Sequence, residues 1–186
     1  MSPKKKPLGV YLLTEGFIVS YSKSEENKRR IQTILKSGDS FPLAWAIHDV
    51  NNDFYLEALT DGNAYLLDKQ YFLDQINNNH KLTLEMIMVL LSYLTMYTER
   101  VENLELTTVK EKLISRILFF VDRFGVTEGK QVVIDLPVTH KLIAESINVS
   151  RENITRELKI LEKEKIISFR NRLLVVVDIH KLKNAL

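Results

Sequence analysis

Arg151, Glu152 and Arg156 stand close together in the chain, directly behind Ser150. An arginine can set two parallel donors on guanine O6 and N7, and a glutamate can accept from cytosine N4. The three side chains therefore carry the chemistry of reading base edges in a DNA groove. The same residues could instead be a solvated helix face, because Glu152 and Arg156 have the i,i+4 spacing of an ion pair. Their surroundings discriminate between the two.

Thr139 is placed to cap a short helix that turns Leu142, Ile143 and Ile147 inward, with Ala144 where a second helix must pass closely. Asn148 tolerates the left-handed backbone that a tight inter-helix turn requires, and Val149 plugs that turn. Ser150 caps the next helix, Arg151–Lys163, which is expected to bury Ile154, Leu158 and Leu161 and to expose Arg151, Glu152, Thr155, Arg156 and Lys159. A small residue, a short turn and a capped basic helix make the helix-turn-helix pattern. Residues 166–177 then read as a β-hairpin with Arg170-Asn171-Arg172 at its tip, a wing whose cations suit phosphate oxygens. With cap, turn, Ala144 and wing together, DNA contact outweighs the solvated face.

These parts need a scaffold. Residues 9–67 alternate apolar and polar residues in short runs: Val10–Leu13, Phe17–Tyr21, Arg30–Leu35, Phe54–Leu59 and Ala64–Leu67. Turn signals separate them at residues 14–16, 24–27, 37–39, 51–53 and 61–63, so a small antiparallel sandwich or barrel is expected. A short helix is expected at Lys69–Ile76. From Leu82 to about Leu104 the period becomes helical, and two stripes emerge. One runs Leu84, Ile87, Leu91, Leu94, Thr98, Val101; the other runs Met86, Val89, Leu90, Tyr93, Tyr97. A helix with two apolar stripes needs two things to pack on, and the economical pair is the β domain and a second copy of the chain. Burial inside a monomer is the alternative. A further helix is expected over Thr108–Phe124, with Val109, Leu113, Ile114, Ile117, Leu118 and Val121 inward and Gly125 as its C-terminal cap. A strand, Gln131–Leu136, leads to Pro137.

The 186 residues are 45% hydrophobic, enough for a real core, and contain no cysteine. Disulfides, thiolate metal sites, iron–sulfur clusters and cysteine nucleophiles are thereby excluded, in keeping with a reducing cytoplasm. The basic start lacks the apolar run of a signal peptide, and the most apolar helical stretch is too short for a membrane span. Net charge is only +2, but Lys130 onward holds 11 Lys/Arg against 7 Asp/Glu, whereas the remainder holds 15 against 17. The basic end suits a polyanion. His48, His80, His140 and His180 show no ligand spacing, no catalytic pair of residues is evident, and neither a metal, a cofactor nor an enzyme activity is expected. Trp45 is expected to pack between the β domain and the long helix, with the lining of a small apolar effector pocket as the alternative.

Ile134–Val177 resembles the DNA-binding domain of the Crp/Fnr family of bacterial transcription regulators. The residues that carry the likeness are Leu142–Ala144, Asn148–Arg156 and Leu158–Ile167. The resemblance implies that Arg151, Glu152 and Arg156 read bases. It further implies that Thr139 and His140 touch phosphates and that Arg170 is a wing contact; Ser150, Asn153, Thr155, Lys159 and Arg172 are also expected to meet phosphates. Upstream, the long helix resembles the family's dimerisation helix, with Leu84, Ile87, Leu91, Leu94, Thr98 and Val101 as the interface. Residues 9–76 resemble part of its β-roll sensor, through Val10–Leu13, Gly16–Val19 and Ser37–Phe41.

The expected fold is α+β: a partial antiparallel β-roll over residues 1–80, a dimerisation helix over 81–107 and a winged helix-turn-helix over 108–186. The expected partners are double-stranded DNA, a second copy, RNA polymerase and an unidentified small effector, with no membrane. Two departures from the family qualify the sensor. Residues 1–7 do not supply the strands that normally precede the Val10 segment. Cyclic-nucleotide binders hold the phosphate with a Gly-Glu pair and a nearby Arg. Pro42-Leu43 stands where the pair belongs, and no arginine lies between Arg30 and Arg100. A cyclic phosphate would be poorly compensated, so independence of cyclic AMP is expected. The competing expectation is a winged-helix interaction or scaffold module that does not bind DNA.

Overall fold

The computed structural model describes residues 1–3, 5–50, 53–102 and 105–186. Asn51 and Asn52 of one expected turn, Lys4 of the basic start and Leu104 at the expected end of the long helix lie outside the described residues, as do the side chains of Glu99, Arg100 and Glu102. The chain divides into two compact units, Met1–Glu102 and Asn103–Leu186.

In the first unit, β1 (Val10–Leu13), β4 (Ser40–Phe41) and β6 (Ala64–Leu67) form one antiparallel sheet in the order β4-β1-β6. A second sheet has β2 (Ile18–Lys23), β3 (Arg29–Leu35) and β5 (Tyr55–Ala58) in the order β3-β2-β5. Because side chains alternate along a strand, β1 serves two cores. Val10 packs with Trp45, Ala46 and Phe72, while Leu13 packs with Leu35, Phe41 and Leu56. The first core is roofed by α1 (Leu43–His48) and α2 (Lys69–Asn78), and Met86 of α3 (His80–Glu102) joins it. Trp45 is thus a packing residue of the β domain against helices, as expected, and lies apart from the open cavity between the sheets.

Two features differ from the sequence expectations. The segment after Phe41 closes a short strand and a helical turn, α1, whose N-cap is Pro42 with no side-chain cap, so no capping signal announces it. The long helix begins at His80 rather than Leu82, because the Asn79 side chain accepts from the Leu82 N–H at 3.2 Å and starts the helix earlier.

In the second unit, α4 (Val109–Phe124) opens with a capping box: Thr108 accepts from the Glu111 N–H, and Glu111 reaches back to the Thr108 N–H. β7 (Gly125–Glu128) and β8 (Gln131–Ile134) follow. Then come α5 (His140–Ile147), α6 (Arg151–Lys163), β9 (Ile167–Arg170), β10 (Leu173–Val176) and α7 (Ile179–Asn184). The sheet order is β7-β8-β10-β9. Gly125 is the C-cap of α4, as expected, its N–H donating to the Val121 carbonyl; its backbone is extended and begins a strand that sequence periodicity did not suggest. A Cβ there would meet the Val121 carbonyl oxygen at 2.2 Å, so glycine is required by close approach. Along α4 the buried row includes Phe120 and Phe124, whereas Val109, Leu118 and Val121 are only half-buried. Among the described residues no helix is long and apolar enough to cross a membrane.

Candidate nucleic-acid interface

The inter-helix corner is set by residues within it. Thr139 accepts from the Leu142 N–H at 3.0 Å and opens α5. Asn148 ends that helix at φ 55°, ψ 44°, in the left-handed region it tolerates, and the Val149 N–H returns to the Ala144 carbonyl at 3.1 Å. Ser150 then accepts from the Asn153 N–H at 3.2 Å, which starts α6 with Glu152 in its first turn, where a negative charge complements the helix dipole.

Ile154, Leu158 and Leu161 hold α6 to the core and are essentially inaccessible to water. Each buried side chain of this size is worth about 1.5–3 kcal/mol, so the orientation of the helix is firmly set. The opposite face carries Arg151, Glu152, Thr155, Arg156 and Lys159, which line one shallow open concavity. Arg156 turns to the neighbouring Glu157 carboxylate, Nε to Oε1 3.4 Å, rather than to Glu152, so the i,i+4 pair that would mark a solvated face is not made.

Other residues of the expected phosphate set play structural parts. The Thr155 hydroxyl donates to the Arg151 carbonyl at 2.8 Å and lies 2.9 Å from His140 Nδ1. The His140 ring also meets Phe169 of β9, with centroids 5.9 Å apart. One imidazole therefore ties together α5, α6 and the wing. Asn153 is half-buried and Lys159 exposed. The Thr139 and Ser150 oxygens accept their cap bonds, which leaves each hydroxyl proton able to donate to an anion.

In the wing, Leu173 pairs with Arg170, so Asn171 and Arg172 form a two-residue turn with φ of 51° and 68°. Positive φ at both central positions is the mark of the turn that suits a twisted hairpin. Arg172 is strained there, being a long side chain in a region that glycine or asparagine prefers. Arg170 is held by Glu128 from the β7–β8 hairpin, Nη2 to Oε2 2.6 Å. Sequence reading missed Glu128, and no local signal could have found it, because the two partners are 42 residues apart. It likewise missed Arg116, which reaches from α4 to donate to the Ser146 carbonyl near the end of α5 at 2.9 Å.

On α3, the stripe Leu84, Ile87, Leu91, Leu94, Thr98 and Val101 is exposed along its whole length, with Leu94 62% and Val101 64% accessible. The second stripe is mostly half-buried against its own unit, and the Tyr93 hydroxyl donates to Asp39 at 3.0 Å. Beside α1, Lys69 is engaged by Asp49, by the Trp45 carbonyl at 3.3 Å and by the face of the Trp45 ring at 4.8 Å. Among the described residues no cluster of three His, Asp or Glu could hold a metal ion.

The family model for the Crp-like helix-turn-helix domain matches residues 111–185. An HTH-type transcriptional regulator of Porphyra purpurea is 24% identical over 171 residues, which cover 91% of this chain and 71% of that one. Among solved structures, FixK2 from Bradyrhizobium japonicum superposes with a TM-score of 0.80 at 17% identity, covering all of this chain and 91% of that chain. A CRP/FNR-family transcriptional regulator from Thermus thermophilus gives 0.74 at 19% identity, with 99% and 90% covered. Together with the capped helix-turn-helix and its wing, these similarities identify residues 111–185 as a Crp-like helix-turn-helix domain and give the whole chain the fold of the CRP/FNR-type regulators.

Proposed function

We propose that the chain binds a palindromic DNA site as a homodimer and regulates transcription in the cytoplasm without a requirement for cyclic AMP. Residues 108–186 supply the DNA-binding part, 81–107 the dimerisation helix and 1–80 the sensor. Arg151, Glu152 and Arg156 read base edges in the major groove. Thr139, His140, Ser150, Asn153, Lys159, Arg170 and Arg172 contact phosphates, with Thr155 positioning His140. The observation that carries this is the exposed Arg151–Glu152–Arg156 face on a helix anchored by Ile154, Leu158 and Leu161. The exposed apolar stripe of α3 supports the dimer, which would present two recognition helices about 34 Å apart, one helical turn of DNA.

Independence of cyclic AMP is supported by Pro42 and Leu43 at the start of α1 and by the engagement of Lys69 with Asp49. A small effector acting on the sensor would shift the dimer between arrangements that do and do not match the operator spacing, and RNA polymerase is the further partner at the promoter. Selection of bound duplexes from a random pool tests the proposal. A palindrome with half-sites one turn apart, bound without cyclic AMP and with affinity that falls steeply as salt rises, is the expected result. Binding that ignores salt, or enrichment of no sequence, would contradict it.

A further inference from the structure

The two arginines of the wing stand differently. Arg172 is exposed in the turn itself. Arg170, at the end of β9, is engaged: its Nη2 donates to Glu128 Oε2 at 2.6 Å. Glu128 belongs to the other hairpin of the sheet. It pairs with Gln131, so Gly129 and Lys130 are the two central residues of the β7–β8 turn, with Gly129 at φ 62°. Glycine takes that positive φ without strain, and the tight turn it allows fixes where the Glu128 carboxylate stands.

Both side chains of this pair are about half exposed, 51% for Arg170 and 49% for Glu128. An ion pair so open to water adds little to stability, and its partners can be exchanged. The guanidinium fork fits a carboxylate and a phosphate alike. Glu128 therefore occupies, at the wing, the position of a DNA phosphate. When Arg170 turns to the DNA backbone, one anion replaces another, and the Glu128 carboxylate is left facing the phosphates without its cation. Each step opposes binding, and neither depends on the base sequence.

We propose that Glu128 is an internal competitor for the wing: it holds Arg170 when DNA is absent and lowers the affinity of the chain for every duplex, without altering which bases are preferred. The inference rests on the proposal that α6 and the wing bind DNA. It assigns to the β7–β8 hairpin the setting of affinity, and leaves the choice of sequence to Arg151, Glu152 and Arg156.

Fluorescence anisotropy on the full chain, with a selected and a scrambled duplex over a range of salt, tests the proposal. Glu128→Gln is expected to bind both duplexes about tenfold more tightly, from about threefold at each wing of a dimer. The slope of log K against log salt should steepen by about 0.9 per wing, one phosphate more being neutralised. Glu128→Ala, which brings no donor of its own to a phosphate, is expected to gain as much. In the Arg170→Gln background the same changes should gain clearly less, since no cation is left to release. Unchanged or weaker binding by Glu128→Ala, a gain confined to the glutamine variant, or an equal gain with and without Arg170 would overturn the proposal. A wild type that binds neither duplex would instead defeat the DNA-binding proposal itself, which separates the two failures.

Discussion

His140 Nδ1 lies 2.9 Å from the Thr155 hydroxyl, whose proton is given to the Arg151 carbonyl 2.8 Å away. A hydroxyl has one proton, so the imidazole must supply the N–H of the His140–Thr155 bond from Nδ1. Nε2 is the ring nitrogen left to face other groups. His140→Gln should weaken binding to selected and unselected duplexes alike, measured by fluorescence anisotropy with labelled duplexes. Unchanged affinity on both would remove His140 from the phosphate set.

Thr155→Val keeps the shape of the side chain and deletes the hydroxyl. It leaves the His140 N–H without its partner, at a cost of about 1 kcal/mol in stability, typical of a lost internal hydrogen bond. Duplex affinity should fall at the same time, because α5, α6 and the wing lose their shared tie. Urea unfolding followed by far-ultraviolet circular dichroism and fluorescence anisotropy with a labelled duplex measure the two effects.

The exposed stripe of α3 predicts a stable pair of helices. Sedimentation should show the wild type as a dimer at micromolar concentration. Leu91→Glu should sediment as a monomer, since each copy would bring a charge into an apolar seam. The same variant should lose most of its affinity for a palindromic duplex while keeping weak, salt-sensitive binding to any duplex. A monomeric wild type would contradict the dimer.

Asp39 is nearly buried, 8% accessible, and its carboxylate accepts from the Lys36 N–H at 2.8 Å and the Tyr93 hydroxyl at 3.0 Å. The second bond ties the turn before β4 to α3. Tyr93→Phe should lower the stability of the first unit by about 1.5–3 kcal/mol, the range for hydrogen bonds to charged groups. Trp45, the single tryptophan, sits in this unit and provides the fluorescence signal.

Glu111 is held below its ordinary value near 4.5, first by hydrogen bonds from the Thr108 backbone and side chain and then by those from Thr107. A carboxylate whose pKa is lower folded than unfolded adds stability above the unfolded value and loses it as pH falls through the folded one. Glu111→Gln should therefore be less stable than the wild type at pH 7, with the difference closing below about pH 4.5. Urea unfolding at several pH values checks the trend; a difference that persists in acid would mean that the charge on Glu111 is not what supports the cap.

The helix-turn-helix was legible because its determinants are local. Thr139 and Ser150 cap within three residues, and Asn148 sits at a positive φ that few other residues accept. Ile154, Leu158 and Leu161 repeat at helical spacing, so the exposed face follows by subtraction. What escaped was set by distant chain. Glu128 reaches Arg170 only because β7 and β9 belong to one sheet. Phe120 and Phe124 continue the helical row of Leu113 and Ile117, which the sequence reading ran through Leu118 and Val121 instead. Gly125 read as a helix stop and is the C-cap of α4, but that it also begins a strand, crowded by the Val121 carbonyl, is visible only in three dimensions. The short helix α1, begun by Pro42 without a side-chain cap, left no signal to read.

The central claim is that Arg156 reads a base. The most direct measurement compares wild type and Arg156→Ala on the selected duplex and on duplexes changed at each half-site position. Base reading predicts a loss of about 1–3 kcal/mol on the selected site, with discrimination relaxed at one symmetry-related pair of positions and retained elsewhere. An affinity within about 0.5 kcal/mol of wild type, well below that range, or a uniform loss on every duplex tested, would contradict it.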